Sequence, residues 1–135
     1  MSQSPKIALV LGAGSARGLA HIGVLQVLVE NRIPFDCIVG CSMGAMVGGL
    51  YACGTDMVML GRMIDSMDLR VFFDVRLPRF GFIAGKKLDS LLALLTKRMD
   101  FEETLLPVHM VATDLISGQR VILESGPVAE AIRAS

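Results

Sequence analysis

Gly40-Cys41-Ser42-Met43-Gly44 reads G-x-S-x-G and lies between two apolar runs of different character. Before it, Phe35-Asp36-Cys37-Ile38-Val39 is strand-like and partly β-branched; after it, Ala45-Met46-Val47-Gly48-Gly49-Leu50-Tyr51-Ala52 is small, apolar and helix-like. A sharp strand-to-helix turn brings the residues two before and two after its tip close together, which gives glycine at 40 and 44 a steric reason. The tip residue stands clear of the sheet in a strained conformation, its hydroxyl at a helix N-terminus. Ser42 is therefore the candidate nucleophile, and Gly40, Cys41, Met43 and Gly44 build the turn that presents it.

The rest of the chain extends this order in both directions. Lys6 to Leu11 is a short apolar run suited to a buried parallel strand, and Gly12-Ala13-Gly14-Ser15-Ala16-Arg17-Gly18 is a glycine-rich loop. Leu19 to Glu30 carries apolar residues at 19, 22, 24, 25, 28 and 29, a helical spacing closed by Asn31-Arg32-Ile33-Pro34. The helix after Ser42 runs to about Cys53, and Gly54-Thr55-Asp56 caps another over Met57 to Met67. Val71 to Ile83 reads as irregular, and Gly85 precedes an amphipathic helix over Lys86 to Arg98. Pro107 to Leu115 and Arg120 to Leu123 form a hairpin about Ser117-Gly118, and a last helix opens near Pro127. The pattern predicts an α/β fold, a three-layer sandwich around a mostly parallel sheet. The last helix meets no Gly, Asn or Pro stop signal before Ser135, so residues 1–135 read as the N-terminal part of one domain, C-terminally incomplete.

Bulk properties narrow the class. A chain of 135 residues fits one domain and can bury about 68% of its unfolded surface. Mean hydropathy is +0.59, yet no apolar run approaches the ~18 residues of a membrane span. Thirteen basic and thirteen acidic residues cancel, and no basic stripe marks a nucleic-acid surface. The N-terminus lacks the features of a secretory signal, which points to the cytoplasm. Cys37, Cys41 and Cys53 are odd in number and lack metal-binding spacing, so they read as reduced, mostly buried small hydrophobes. No metal or organic cofactor is implied.

Two small-residue turns thus follow the first two strands at their carboxyl ends, where open α/β sheets place their sites. The free N–H groups of residues 12–18 suit a phosphate or the oxyanion of an attacked ester carbonyl. A dinucleotide fold is the rival reading. Its register is wrong: Arg17 occupies the third glycine position, and Asp36 lies at the beginning of the second strand instead of its end.

Gly12-x-Gly14-x-x-Arg17-Gly18-Leu19-Ala20-His21-Ile22-Gly23-Val24-Leu25 resembles the oxyanion-loop block of bacterial patatin-like phospholipases. Gly40 to Ala45 resembles their nucleophile block, Val111 to Leu115 with Ser117-Gly118 their next strand and turn, and Ala131 to Ser135 the segment before their Ser-Ile-Pro-Gly stretch. The resemblance implies a carboxylic-ester hydrolase of the phospholipase or lysophospholipase type. It would use a Ser-Asp dyad, with Gly12, Ala13, Gly14, Ser15, Ala16, Arg17 and Gly18 as oxyanion loop. It implies a lipid or small-ester substrate and peripheral contact with a membrane; it says nothing of oligomeric state. Ala13 and Ser15 stand where the family often has glycine. The family's aspartate lies in an Asp-Gly motif, and no Asp-Gly occurs here, so the base is expected beyond Ser135 and the chain alone is expected to be weak or inactive. The second reading is a catalytically silent lipid-binding or regulatory module.

Other polar residues have plainer readings. His21 reads as a helix histidine bonded to nearby backbone, and His109 as a strand residue used in packing or a buried hydrogen bond. Asp114 is a surrogate base or, better, a turn-capping aspartate. Arg17 supports the loop, binds a lipid phosphate or ties to a carboxylate. Met57, Met59, Met63 and Met67 read first as core and second as an acyl-chain surface, and residues 71–83 as a lid or membrane-facing loop.

Overall fold

The computed structural model describes residues 6–66 and 81–135, with the side chains of 81–87 excepted. Strands β1 (Ala8–Leu11), β2 (Cys37–Cys41), β3 (Val108–Thr113) and β4 (Arg120–Leu123) form one sheet in that order. The first three are parallel, and β4 returns antiparallel to β3. The sheet is therefore mixed and mostly parallel, as the sequence pattern predicts.

Among the described residues five α-helices accompany it: α1 (Ala20–Glu30), α2 (Met43–Ala52), α3 (Met57–Ser66), α4 (Gly81–Leu95) and α5 (Val128–Ala134). Because β1, β2 and β3 are added in one direction, right-handed crossovers set their connecting helices on one face. Burial agrees. Leu11, Ile38, Val108 and Met110 face the helices and are almost fully buried. Helix α2 lies directly on these strands, with eight of its ten residues buried. Helices α1 and α3 pack together through Ile22, Leu25, Leu60 and Ile64, and Ile132 of α5 closes over α2 and Met110. Each such side chain contributes about 1.5–3 kcal/mol by leaving water. The other sheet face is more open, with Val10 70% and Ile122 43% exposed.

One helix differs from its sequence reading. Helix α4 begins at Gly81 and ends at Leu95, so Gly81-Phe82-Ile83 are helical and not irregular, and the predicted start at Lys86 is too late. Gly85, read as preceding the helix, lies inside it; an internal glycine costs only about 1 kcal/mol relative to alanine and does not by itself end a helix. The chain leaves α4 through two left-handed residues, Lys97 (φ 54°) and Arg98 (φ 56°). Arg98 N–H closes back on Ala93 O at 2.9 Å, and Lys97 Nζ donates to Cys53 O at 3.0 Å. The loop reading over 71–80 and Met67 lie outside the described residues.

Candidate active site

Strand β2 ends at Cys41 and α2 begins at Met43, so Ser42 alone makes the turn, at φ 53° and ψ −119°. Few non-glycine residues hold such a conformation, which costs on the order of 1–3 kcal/mol. Crowding enforces it. A Cβ on Gly40 would stand 2.5 Å from Ala45 Cα, and one on Gly44 would stand 2.0 Å from Leu11 O. The two glycines let the strand end and the helix start touch, and Gly44 also seats α2 against the end of β1.

The loop after β1 is held differently. Arg17 and Gly18 N–H both donate to Gly14 O, at 3.0 and 3.3 Å, and start a 3-10 turn over Ser15–Leu19. Ser15 takes φ 47°. His21 Nε2 hydrogen-bonds Gly12 O at 2.9 Å, which ties the first turn of α1 to the strand end. His21 is thus a helix histidine bonded to nearby backbone, as its sequence reading has it. Among the described residues the amides of Gly14 and Ser15 have no hydrogen-bond partner.

Loop and turn meet at one cavity of about 400 Å³. Ser15, Ser42, Met43 and Met46 form one wall; Leu88 and Leu92 of α4 and Ile132, Arg133 and Ser135 at the end of α5 form the other. The lining is mostly apolar and includes Ser42, a size and character suited to a small ligand or the reacting end of an acyl chain. A larger void of about 740 Å³ between α4 and α5 is lined by Asp89, Arg98, Asp100 and Glu130 among others; it holds neither Ser42 nor the loop amides. The candidate site is therefore the smaller cavity. Arg133 pairs with Asp89 and fastens the two helices that roof it.

Ser135 is the site residue that sequence reasoning did not single out. Its Oγ accepts the Ser42 N–H at 2.8 Å and donates to Val111 O at 2.6 Å. The two serines are 93 residues apart, so no local pattern links them.

The remaining candidates fall outside this constellation. Asp114 accepts N–H groups from Ser117 and Ile116, at 2.9 and 2.8 Å, and these hold its carboxyl below the usual carboxylate range. A carboxylate so satisfied is a turn cap and a weak base. His109 Nδ1 meets Glu124 Oε2 at 3.1 Å, across the hairpin. Arg17 is exposed and meets no carboxylate among the described residues. Cys53 is buried, and burial pushes its thiol up to about 11 against the opposing pull of Lys97, so it is protonated and inert at neutral pH.

The aspartates are likewise committed elsewhere. Asp36 accepts Ile7 N–H at 2.6 Å at the far end of β2, which leaves no acidic residue at the edge a dinucleotide ribose would occupy. Asp56 caps α3, Asp89 pairs with Arg133, and Asp100 joins Glu103 in a capping box. Asp65 is exposed on α3, while Asp68 and Asp74 lie outside the described residues. Among the described residues no carboxylate or imidazole hydrogen-bonds Ser42 Oγ, no cluster of metal-ligating side chains occurs, and no helix is long and apolar enough to cross a membrane.

Comparison with known proteins places this geometry. The sequence profile of the patatin-like phospholipases matches residues 9–135. An uncharacterised NTE family protein of Mycobacterium bovis is 36% identical over 136 residues, covering 99% of this chain and 38% of the relative. Lysophospholipase NTE1 of Cryptococcus neoformans var. neoformans serotype D is 36% identical over 138 residues, covering 96% of this chain and 8% of the relative. The crystal structure of the type III effector protein ExoU superposes with a TM-score of 0.64 at 16% identity, covering 97% of this chain and 40% of that one, a likeness of fold. The chain spans about two fifths of the length of the mycobacterial relative and less of the fungal one. It belongs to the patatin-like phospholipase family.

Proposed function

We propose that this chain carries the nucleophile and oxyanion half of a lipid acyl hydrolase, and that residues 1–135 are the N-terminal part of its single catalytic domain. One observation carries the reading: the strained Ser42 and the loop bearing free Gly14 and Ser15 amides open on the same apolar cavity. Ser42 Oγ attacks the ester carbonyl and its proton passes to a base. The tetrahedral oxyanion takes N–H bonds from Gly14 and Ser15, each such donor worth about 2.7–4 kcal/mol of barrier. Collapse releases the alcohol with a proton and leaves an acyl-Ser42 ester, which water hydrolyses to the fatty acid.

The base in this proposal is an aspartate supplied by polypeptide beyond residue 135, because the described carboxylates near the site have other partners. The lysophospholipase among the relatives supports a fatty-acyl ester as substrate. Work in the cytoplasm at a membrane surface fits the same reading. Leu115 and Ile116, 96% and 99% exposed, cap the β3–β4 hairpin at the sheet edge that carries Ser42.

A fluorophosphonate probe and a fatty-acyl ester substrate test this in the natural polypeptide that carries the chain. Rapid labelling and turnover are expected, both lost in Ser42→Ala. Turnover that survives Ser42→Ala overturns the assignment; absence of labelling in the unaltered protein favours a silent lipid-binding module. The 135-residue chain alone is expected to turn over weakly or not at all, and robust Ser42-dependent turnover by it would sink the claim that the base lies elsewhere.

A further inference from the structure

We propose that Ser135 is a positioning residue for the nucleophile: its hydroxyl replaces a missing rung of the β2–β3 ladder and so fixes Ser42 at its strained backbone angles. As a statement about catalysis this rests on the reading of Ser42 above; as a statement about geometry it stands alone.

The parallel ladder supplies the argument. Ile38 N–H donates to Pro107 O at 3.0 Å, and Ile38 pairs with Val108 in a register that continues to Cys41 and Val111. In a parallel pair the donors of one strand recur every second residue. Counting from Ile38, the donors are Ile38, Gly40 and Ser42, and their acceptors are Pro107, His109 and Val111. Ser42 N–H and Val111 O are therefore the next partners in line. They do not bond directly; the direct ladder ends where the chain turns at Ser42. The Ser135 hydroxyl sits between them instead, accepting from Ser42 N–H at 2.8 Å and donating to Val111 O at 2.6 Å.

A hydroxyl suits this place because it accepts and donates at one atom. The inserted oxygen satisfies a donor and an acceptor that the turn would otherwise orphan. It also sets how far the turn stands from β3. Ser135 reaches the spot because α5 packs through Val128, Ala131 and Ile132, all buried, so helix packing fixes its position. The Arg133 pair with Asp89 holds the same turn of α5 to α4. Without the hydroxyl, Ser42 N–H and Val111 O lose their shared partner, and the turn is left with the glycine packing alone, so the nucleophile is less firmly oriented.

Ser135→Thr and Ser135→Val have the same shape and differ by a hydroxyl against a methyl, so the pair separates hydrogen bonding from packing. Amide hydrogen exchange at Ser42 is read in the natural polypeptide, with steady-state kinetics on the same protein. In Ser135→Val, exchange at Ser42 is expected to quicken at least about tenfold and kcat to fall about tenfold with KM within about twofold, the signature of a lost orientation. Ser135→Thr is expected to keep both near the unaltered values. Equal exchange in the two variants overturns the bridging role, and equal kcat overturns the positioning role. Turnover that persists in Ser42→Ala would refute the hydrolase reading, while the exchange result would still judge the bridge.

Discussion

Two turns at one sheet edge each hold a serine in a left-handed backbone conformation, by opposite means. After β2, Ser42 sits at φ 53° because Gly40 and Gly44 let backbone press on backbone from both sides, with Ser135 bracing the third. After β1, Ser15 sits at φ 47° in an exposed loop, which hangs on bonds from Arg17, Gly18 and His21. A conformation enforced by packing has nowhere to relax. One enforced by a few hydrogen bonds adjusts. A nucleophile whose oxygen must meet a carbonyl carbon needs the first kind; an amide loop that follows an oxyanion works with the second.

The sharpest way to break this contrast is to crowd the packed turn. Gly44→Ala puts a Cβ 2.0 Å from Leu11 O, a backbone atom in a buried strand end that cannot step aside. Overpacking against backbone exceeds the usual 1–3 kcal/mol of a core misfit, so a loss of about 4 kcal/mol or more is expected in urea unfolding, with turnover gone. A variant that lost under about 1 kcal/mol would show the turn to be softer than its contacts say.

The loop is expected to give more gently. His21→Ala removes one hydrogen bond, and exposed Gly12 O can take water in its place. A loss of about 1 kcal/mol follows, read as a drop of about 3–5 °C in thermal unfolding, with turnover reduced but present. His21→Gln keeps an N–H donor and should retain most of the activity. If His21→Gln abolished turnover while the fold held, the imidazole would be a base and the dyad reading would yield to a triad.

What the sequence revealed follows the same division between local and distant causes. The hairpin strand Arg120–Leu123 and the turn at Ser42 are legible because their signals are contiguous: short apolar runs on either side of Ser117-Gly118, and glycines two places either side of a serine. The reading of His21 as a backbone-bonded helix residue was within reach too, since Gly12 is only nine residues away. Helix α4 was misjudged at Gly85 because a glycine's local preference does not by itself end a helix. The Ser135 bridge was invisible for a related reason. Whether a hydroxyl at the end of one helix reaches a broken ladder rung depends on how that helix packs, and no pattern within a few residues of Ser135 encodes it.

The smallest effect makes the finest test. Ser15 lies in the left-handed region, and at φ 47° its Cβ carries a strain of about 1–2 kcal/mol. Ser15→Gly removes that strain but frees the unfolded chain, which costs about 0.5–1 kcal/mol in the other direction. The net is a stabilisation of about 0.5 kcal/mol, an upward shift of about 1–2 °C. The donor in the proposed oxyanion hole is the backbone N–H at 15, and glycine keeps it, so turnover should stay within about twofold. Loss of thermal stability would mean that the loop is held by packing after all, like its neighbour. A tenfold loss of turnover without loss of fold would give the Ser15 hydroxyl a chemical role in the cavity it shares with Ser42, and the two turns would differ less than their contacts imply.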